Sequence, residues 1–261
     1  MNIAGSELSR SAVLFSPHPD DETLACAGTI LEKLRAGGSV KIVQMTDGQA
    51  ATHGNLITRT ELKARRRQEA LNAGRTLGLL ESDTYFLDFE DGCLSDHADT
   101  AAKHVRRILE KERPQEIFVP YTREPVSLAA DHVATTNIVK TVLPSLNASF
   151  IIWEYPVWFW AHWPWVTMLQ GRGAVIKTPK VISNSIRGLF GIRALLDLRY
   201  SVNIAHVLNV KRTAIAQHRS QMEKIIADEQ WIILKEIANG DFFACFDQGR
   251  EHFRRWSFSA R

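Results

Sequence analysis

Before residue 156 the chain alternates five short apolar runs with four helical patterns, and this alternation leaves it few folds to choose from. The runs are AVLFS (Ala12–Ser16), VKIVQMT (Val40–Thr46), TYFLDF (Thr84–Phe89), EIFVPY (116–121) and FIIWEY (Phe150–Tyr155). Each has the length and apolar character of a buried strand. The helical patterns cover 22–36, about 59–77, roughly 97–112 and about 130–142. Gly37–Gly38, Gly78, Pro114 and Pro144 follow them in turn, residues that stop helices. Short apolar strands spaced by helices make βαβ units. Their crossovers are right-handed and place helices on both faces of the sheet. The expected fold is therefore α/β and Rossmann-like, with a mostly parallel sheet.

After Pro156 the pattern breaks. VWFWAHWPWVTMLQ (157–170) holds four of the seven tryptophans, and a stretch with six arginines and lysines follows it. YSVNIAHVLN (200–209) reads as a late strand, 211–228 as a helix and 231–237 as a shorter one. The expected organisation is a single α/β domain over 1–261. It comprises a core over 1–156, an aromatic and basic insertion or lid over 157–200, and a C-terminal strand with helices over 201–261. Three readings of the aromatic segment stand side by side. It packs as a lid over the site, it touches a membrane surface as tryptophans beside basic residues do, or it contacts a second copy in a homo-oligomer.

The composition removes several function classes. A formal charge of +3 on 261 residues gives no reason to expect nucleic acid as a partner. Three cysteines without a CxxC pair suggest buried thiols in a reducing compartment. Neither a secretory leader nor a long apolar span is legible, so the expected location is the cytoplasm, with peripheral contact at the inner membrane face as the variant the tryptophans allow.

The segment SPHPDDETLACAGT (16–29) sets three consecutive acids where the first strand hands over to the first helix. Asp20, Asp21 and Glu22 can cap that helix, because acids in a first turn meet its unpaired N–H groups and dipole. Capping leaves His18 unexplained. His18 and Asp21 flank a tight turn at the carboxyl end of a strand, where ligands bind in open α/β sheets. A ring nitrogen and a carboxylate oxygen converging there suit zinc or another divalent metal. Asp20 points away from that pair and is free to act as a general base. ADHVATT (130–136), after the fourth strand, offers His132 as a further ligand. There Asp131 reads equally as a helix cap or as a carboxylate that orients a ligand histidine.

These residues carry a resemblance. SPHPDDE resembles the (A/S)HPDDE signature of the PIG-L / LmbE-like metal-dependent deacetylases, which remove acetyl groups from N-acetylglucosamine conjugates. TDG (46–48), RRQEALNAGRTLG (66–78), DFEDG (88–92) and KRTAIAQHRSQ (211–221) resemble further segments of that family in the same order. The resemblance implies one divalent ion, zinc first among candidates, on His18, Asp21 and His132. It implies Asp20 as the base that deprotonates the attacking water, and Arg66 and Asp91 as grips on sugar hydroxyls. Arg65 and Arg67 read as a solvated face. The substrate implied is a small-molecule or lipid-linked N-acetyl sugar.

One position departs. Where the family carries HPDH, this chain has Ala129, Ala130, Asp131 and His132. The missing first histidine is the one thought to steady the oxyanion or protonate the leaving amine. Arg123 and His97, both near strand ends, are candidate replacements. Ala129 also leaves room for two other readings: a catalytically weakened sugar- or lipid-carrier-binding protein, and an amidase for another N-acyl compound.

Overall fold

The computed structural model describes residues 1–3, 5–51, 56–124, 129–162 and 196–260. Most of the aromatic and basic insertion expected over 157–200, with Trp163 and Trp165, therefore lies outside the described residues.

Seven strands form one sheet: β1 (Ala12–Ser16), β2 (Val40–Thr46), β3 (Thr84–Phe89), β4 (Glu116–Pro120), β5 (Phe150–Tyr155), β6 (Tyr200–Asn203) and β7 (Arg250–Phe258). Their order is β3-β2-β1-β4-β5-β7-β6. The pairs among β1 to β5 are parallel, and β7 runs antiparallel to both β5 and β6. The helices α1 (Asp21–Arg35), α2 (Arg59–Thr76), α3 (Ala98–Glu112), α4 (Ala130–Val142) and α5 (Leu208–Ala216) cover its two faces. The α/β, mostly parallel expectation holds.

Strand alternation divides the core in two. In β1, Ala12 and Leu14 join a cluster with α1 and the C-terminal elements, while Val13 and Phe15 join one with α3 and α4. Both faces of β1 are therefore buried, which is why it reads as a continuous apolar run. The order reverses at β1: β2 and β3 lie to one side, β4 and β5 to the other. The crevice between the carboxyl ends of β1 and β4 is the topological switch point at which such sheets bind ligands.

The C-terminal third corrects the sequence reading. The late strand ends at Asn203, and the helix expected over 211–228 stops at Ala216 and resumes only as the short α6 (Arg219–Met222). The helix expected over 231–237 is a 3-10 segment at Leu234–Gly240, followed by α7 (Asp241–Ala244). Strand β7 went unread because its buried position Glu251 is charged. That carboxylate accepts the Thr29 hydroxyl at 2.6 Å and pairs with Lys211 at 2.7 Å. A local period of two is masked when an inward position is polar and its partners are distant in sequence. Of the three thiols only Cys26 is buried; Cys93 and Cys245 are half-buried. Among the described residues no helix is long and apolar enough to cross a membrane.

Candidate metal and catalytic site

β1 ends at Ser16, and the chain turns through Pro17–Asp20 before α1 begins. Glu22 organises this turn from inside. Its Oε2 accepts the Ser16 hydroxyl at 2.9 Å and the Asp20 N–H at 3.2 Å, and its Oε1 accepts the Thr23 hydroxyl at 2.9 Å. Asp20 sits at φ +148° and ψ −28°, a backbone conformation that side-chain-bearing residues rarely adopt. Such strain persists only where surrounding contacts hold it, and here the Glu22 carboxylate holds the peptide nitrogen.

Arg66 holds the other end of Asp20. The buried stripe of α2 runs Leu62, Arg66, Glu69, Ala70, Ala73 and Gly74, so helical periodicity turns Arg66 inward. Its guanidinium donates to the Asp20 carboxylate at 3.0 Å, the Pro19 carbonyl at 2.7 Å and the Gly48 carbonyl at 2.9 Å. It ties the turn after β1 to the loop after β2. Gly48 has φ +66°, and a Cβ there would lie 2.6 Å from the guanidinium, so glycine is required. Arg65 and Arg67 are exposed, in keeping with a solvated face.

His18, Asp21 and His132 meet between β1 and β4. Asp21 Oδ2 lies 3.2 Å from His18 Nδ1 and 3.2 Å from His132 Nε2. His132 is fully buried, and neither of its ring nitrogens has a hydrogen-bond partner. An imidazole stripped of water and left unpaired is costly. The 3.2 Å contact with Asp21 falls outside hydrogen-bond geometry, so both groups face a common point. Two nitrogens and one oxygen converging with a position left open match the donor set of a catalytic zinc site.

The other side of His18 is also engaged. Its Nε2 lies 3.1 Å from Asp91 Oδ1 and 3.3 Å from Asp131 Oδ2. Asp131 does not cap its own helix; it accepts the N–H groups of Gly92 and Leu94 at 2.7 and 3.1 Å. Asp91 accepts the Ala50 N–H at 3.0 Å and lines the cavity above the cluster. With a metal ion bound, carboxylates on Nε2 would keep a proton there and leave Nδ1 as the ligand atom.

Burial lowers the affinity of His18 for its proton, but Asp91, Asp131 and Asp21 outweigh it and hold its pKa well above the ordinary histidine range. Burial raises Asp21, yet His132 and His18 bring it far below the usual carboxylate range. Burial likewise raises Asp91, and His18 and Arg66 pull it well down. Asp20 is different: burial dominates and pushes it up to about 8, against the pull of Arg66.

The remaining expected residues are not brought to the cluster. Arg123 is ion-paired with Asp197, which also accepts the Tyr121 hydroxyl. His97 is exposed and stacks on Phe89 with ring centroids 5.8 Å apart. Ala129 is buried just before α4 and offers only a methyl group. Residues with no role in the sequence reading do arrive. Gln221 lines the cavity, and Glu22 and His218 both contact the Thr23 hydroxyl in the first turn of α1. The HxSQ run (218–221) was the available signal for Gln221 and His218.

His218 is buried and places Nε2 3.0 Å from the Thr23 hydroxyl, which in turn donates to Glu22. Burial lowers its pKa to about 4. The folded protein therefore favours neutral His218, whereas an unfolded chain protonates it near 6.5. This stability is fully present above about pH 6.5 and is lost as pH falls toward 4. His218→Gln keeps a donor without titrating, so its denaturation midpoint should fall less between pH 7 and 4.5 than the parent's. Parallel losses in urea titrations would refute this.

Comparison with known proteins agrees with the geometry. The model of the family described as "PIG-L: GlcNAc-PI de-N-acetylase" matches residues 13–143. A probable N-acetyl-alpha-D-glucosaminyl L-malate deacetylase 2 of Bacillus cereus is 26% identical over 225 residues, 85% of this chain and 88% of that protein. Among solved structures, N,N'-diacetylchitobiose deacetylase from Pyrococcus horikoshii superposes with TM-score 0.64 at 23% identity, covering 95% of this chain and 84% of that one. The 4-carboxy-2-hydroxymuconate hydratase GalB of Pseudomonas putida superposes with TM-score 0.61 at 14% identity, covering 97% of each chain. A hydratase on this fold means that the architecture alone does not select the reaction.

Proposed function

The chain belongs to the PIG-L family of GlcNAc-PI de-N-acetylases, and from that premise we propose that it is a metal-dependent hydrolase removing the N-acetyl group from an N-acetylglucosamine-type conjugate. The observation that carries this reading is the convergence of His18, Asp21 and His132 beside Asp20 at a cavity. The names of the Bacillus and Pyrococcus proteins, both deacetylases of N-acetylglucosamine compounds, support the substrate class.

His18 Nδ1, Asp21 Oδ2 and His132 Nε2 would hold the ion, with Asp91 and Asp131 orienting His18. A bound divalent metal supplies Lewis acidity toward the amide carbonyl and a water of lowered pKa. Asp20 takes a proton from the attacking water and returns it to the amide nitrogen as the C–N bond breaks, so water and amide become acetate and amine. A carboxyl at about 8 is near enough to neutrality to accept and return that proton. Arg66 keeps it aimed. Because Arg66 spends its guanidinium on Asp20, Pro19 and Gly48, its role here is positioning; Asp91, at the cavity wall, is the residue available to sugar hydroxyls.

Acetate release from a panel of N-acetylglucosamine conjugates, with zinc, cobalt or manganese loaded, tests the proposal. Metal-loaded protein that releases acetate from none of them would sink it. The buried methyl of Ala129 favours a second reading, a sugar-binding protein with weakened chemistry. Saturable binding of the panel without turnover would select that reading.

Glu22→Gln should lower kcat about 10- to 100-fold with metal content unchanged. The amide turns one acceptor into a donor, so it cannot serve Ser16, Asp20 and Thr23 together, and a misplacement near 1 Å is enough for such a loss. A parent-like kcat would remove Glu22 from the support of Asp20.

A further inference from the structure

No step of the proposed reaction uses TDG (46–48), the segment in which β2 ends. In the structure it is a junction between loops. The Thr46 N–H and hydroxyl both donate to the Pro17 carbonyl, at 3.0 and 2.8 Å, which ties the segment to the turn that carries His18. The Asp47 N–H donates to the Phe89 carbonyl at 2.9 Å, and the Gly48 carbonyl takes the Arg66 guanidinium. Asp47 is 8% exposed, and its side chain crosses to the loop after β3. Its Oδ1 accepts the Gln49 N–H at 3.2 Å, within its own turn, and also the Asp91 N–H at 3.3 Å. An aspartate that only shaped its own turn would stop at the first of these. Lys63 of α2 lies 3.5 Å from Asp47 Oδ2 and 3.2 Å from Asp88 Oδ1, so a cation partners the buried carboxylate.

Asp91 returns the contact. Its Oδ2 accepts the Ala50 N–H at 3.0 Å, which leaves Oδ1 to face His18 Nε2 at 3.1 Å. The next N–H along the chain, that of Gly92, goes to Asp131 at 2.7 Å. Two carboxylates, one from the loop after β2 and one from α4, thus hold successive N–H groups of the loop after β3. The Asp47 bond is the one that fixes the backbone of Asp91 itself. We infer that Asp47 is a positioning residue: it sets the Asp91 carboxylate against His18 and at the cavity wall, although Asp47 is not among the residues that line the cavity. This rests on the deacetylase reading for the role of Asp91 and deepens it.

A double-mutant cycle read by zinc affinity tests the link without any turnover, by competition with a chelating dye. Asp91→Ala takes a carboxylate from His18 and should weaken zinc about 10- to 100-fold. Asp47→Ala leaves Asp91 in the chain and should weaken zinc less, about 3- to 10-fold. The double variant should lie within about twofold of Asp91→Ala, because the two losses share one contact. Asp47→Asn keeps Oδ1 as an acceptor and should recover most of the affinity. Asp47→Glu keeps the charge but moves the acceptor, so it should weaken zinc even if Asp47→Ala does not fold. At saturating zinc, Asp47→Ala should raise KM for methyl N-acetylglucosaminide more than it lowers kcat, since Asp91 serves hydroxyls and not the reacting carbonyl. Additive losses across the cycle, zinc affinity equal in or absent from parent and Asp47→Ala, an asparagine variant as weak as the alanine one, or an effect confined to kcat would each overturn the inference. An intact zinc cycle with no acetate released by any of these proteins would keep the inference and reject the deacetylase reading. Acetate release by the parent with an additive cycle would do the reverse.

Discussion

His132→Ala should yield a folded protein that no longer holds a metal ion. The parent should bind one divalent ion per chain, and the variant about a tenth of that or less. Acetate release should fall by more than the roughly 10- to 100-fold that follows loss of a group that only orients a ligand. The expectation rests on a fully buried imidazole with no hydrogen-bond partner on either nitrogen. A role in packing alone would leave His132 a costly choice, because neither desolvated ring nitrogen gains a hydrogen bond. The fold should survive. His132 belongs to neither apolar cluster of the core, and the substitution removes a buried polar group without a hydrogen bond. Elemental analysis of purified protein, together with the thermal shift on adding zinc, checks it. Normal metal content and a parent-like shift in the variant would refute the ligand assignment.

Asp20→Asn should separate chemistry from metal binding. Asparagine keeps the shape, and its side-chain oxygen can still accept from Arg66, so the turn and the neighbouring His18 and Asp21 should stay in place. Metal content should match the parent. Turnover should fall about 100- to 10,000-fold, the range for losing a general base. The contrast with His132→Ala is the informative part: one variant loses the ion and the reaction, the other the reaction alone. Near-parental acetate release by Asp20→Asn would remove Asp20 from the mechanism. Loss of metal would instead make it a ligand.

The legible parts of the site were those with short-range signals. His18 and Asp21 stand three residues apart across one turn, and their strand end is marked by the apolar run before it. His132 follows the fourth run in the same way, and parallel βαβ order carries both strand ends to one crevice. Asp131 stayed ambiguous between cap and orienting group. Its partners, Gly92 and Leu94, lie 39 and 37 residues away, and no local pattern reports them. Arg66 was singled out as a grip on sugar hydroxyls; that it also braces the protein's own loops was not legible, because Asp20 and Pro19 lie 46 and 47 residues away. Arg123 and His97 were candidates by position in the chain. Asp197 and Phe89 engage them elsewhere.

Period and turn chemistry are properties of neighbouring residues, so the mostly parallel core and the motif at the end of its first strand are readable from the chain alone. Tertiary structure decided the rest. It inserted β7 beside β5 through a buried carboxylate whose partners Lys211 and Thr29 come from two separate helices. It held Asp20 in a strained conformation between Glu22 and Arg66. Each of these depends on which distant side chains share a desolvated space, and in that space a polar group is worth only what its partner makes it.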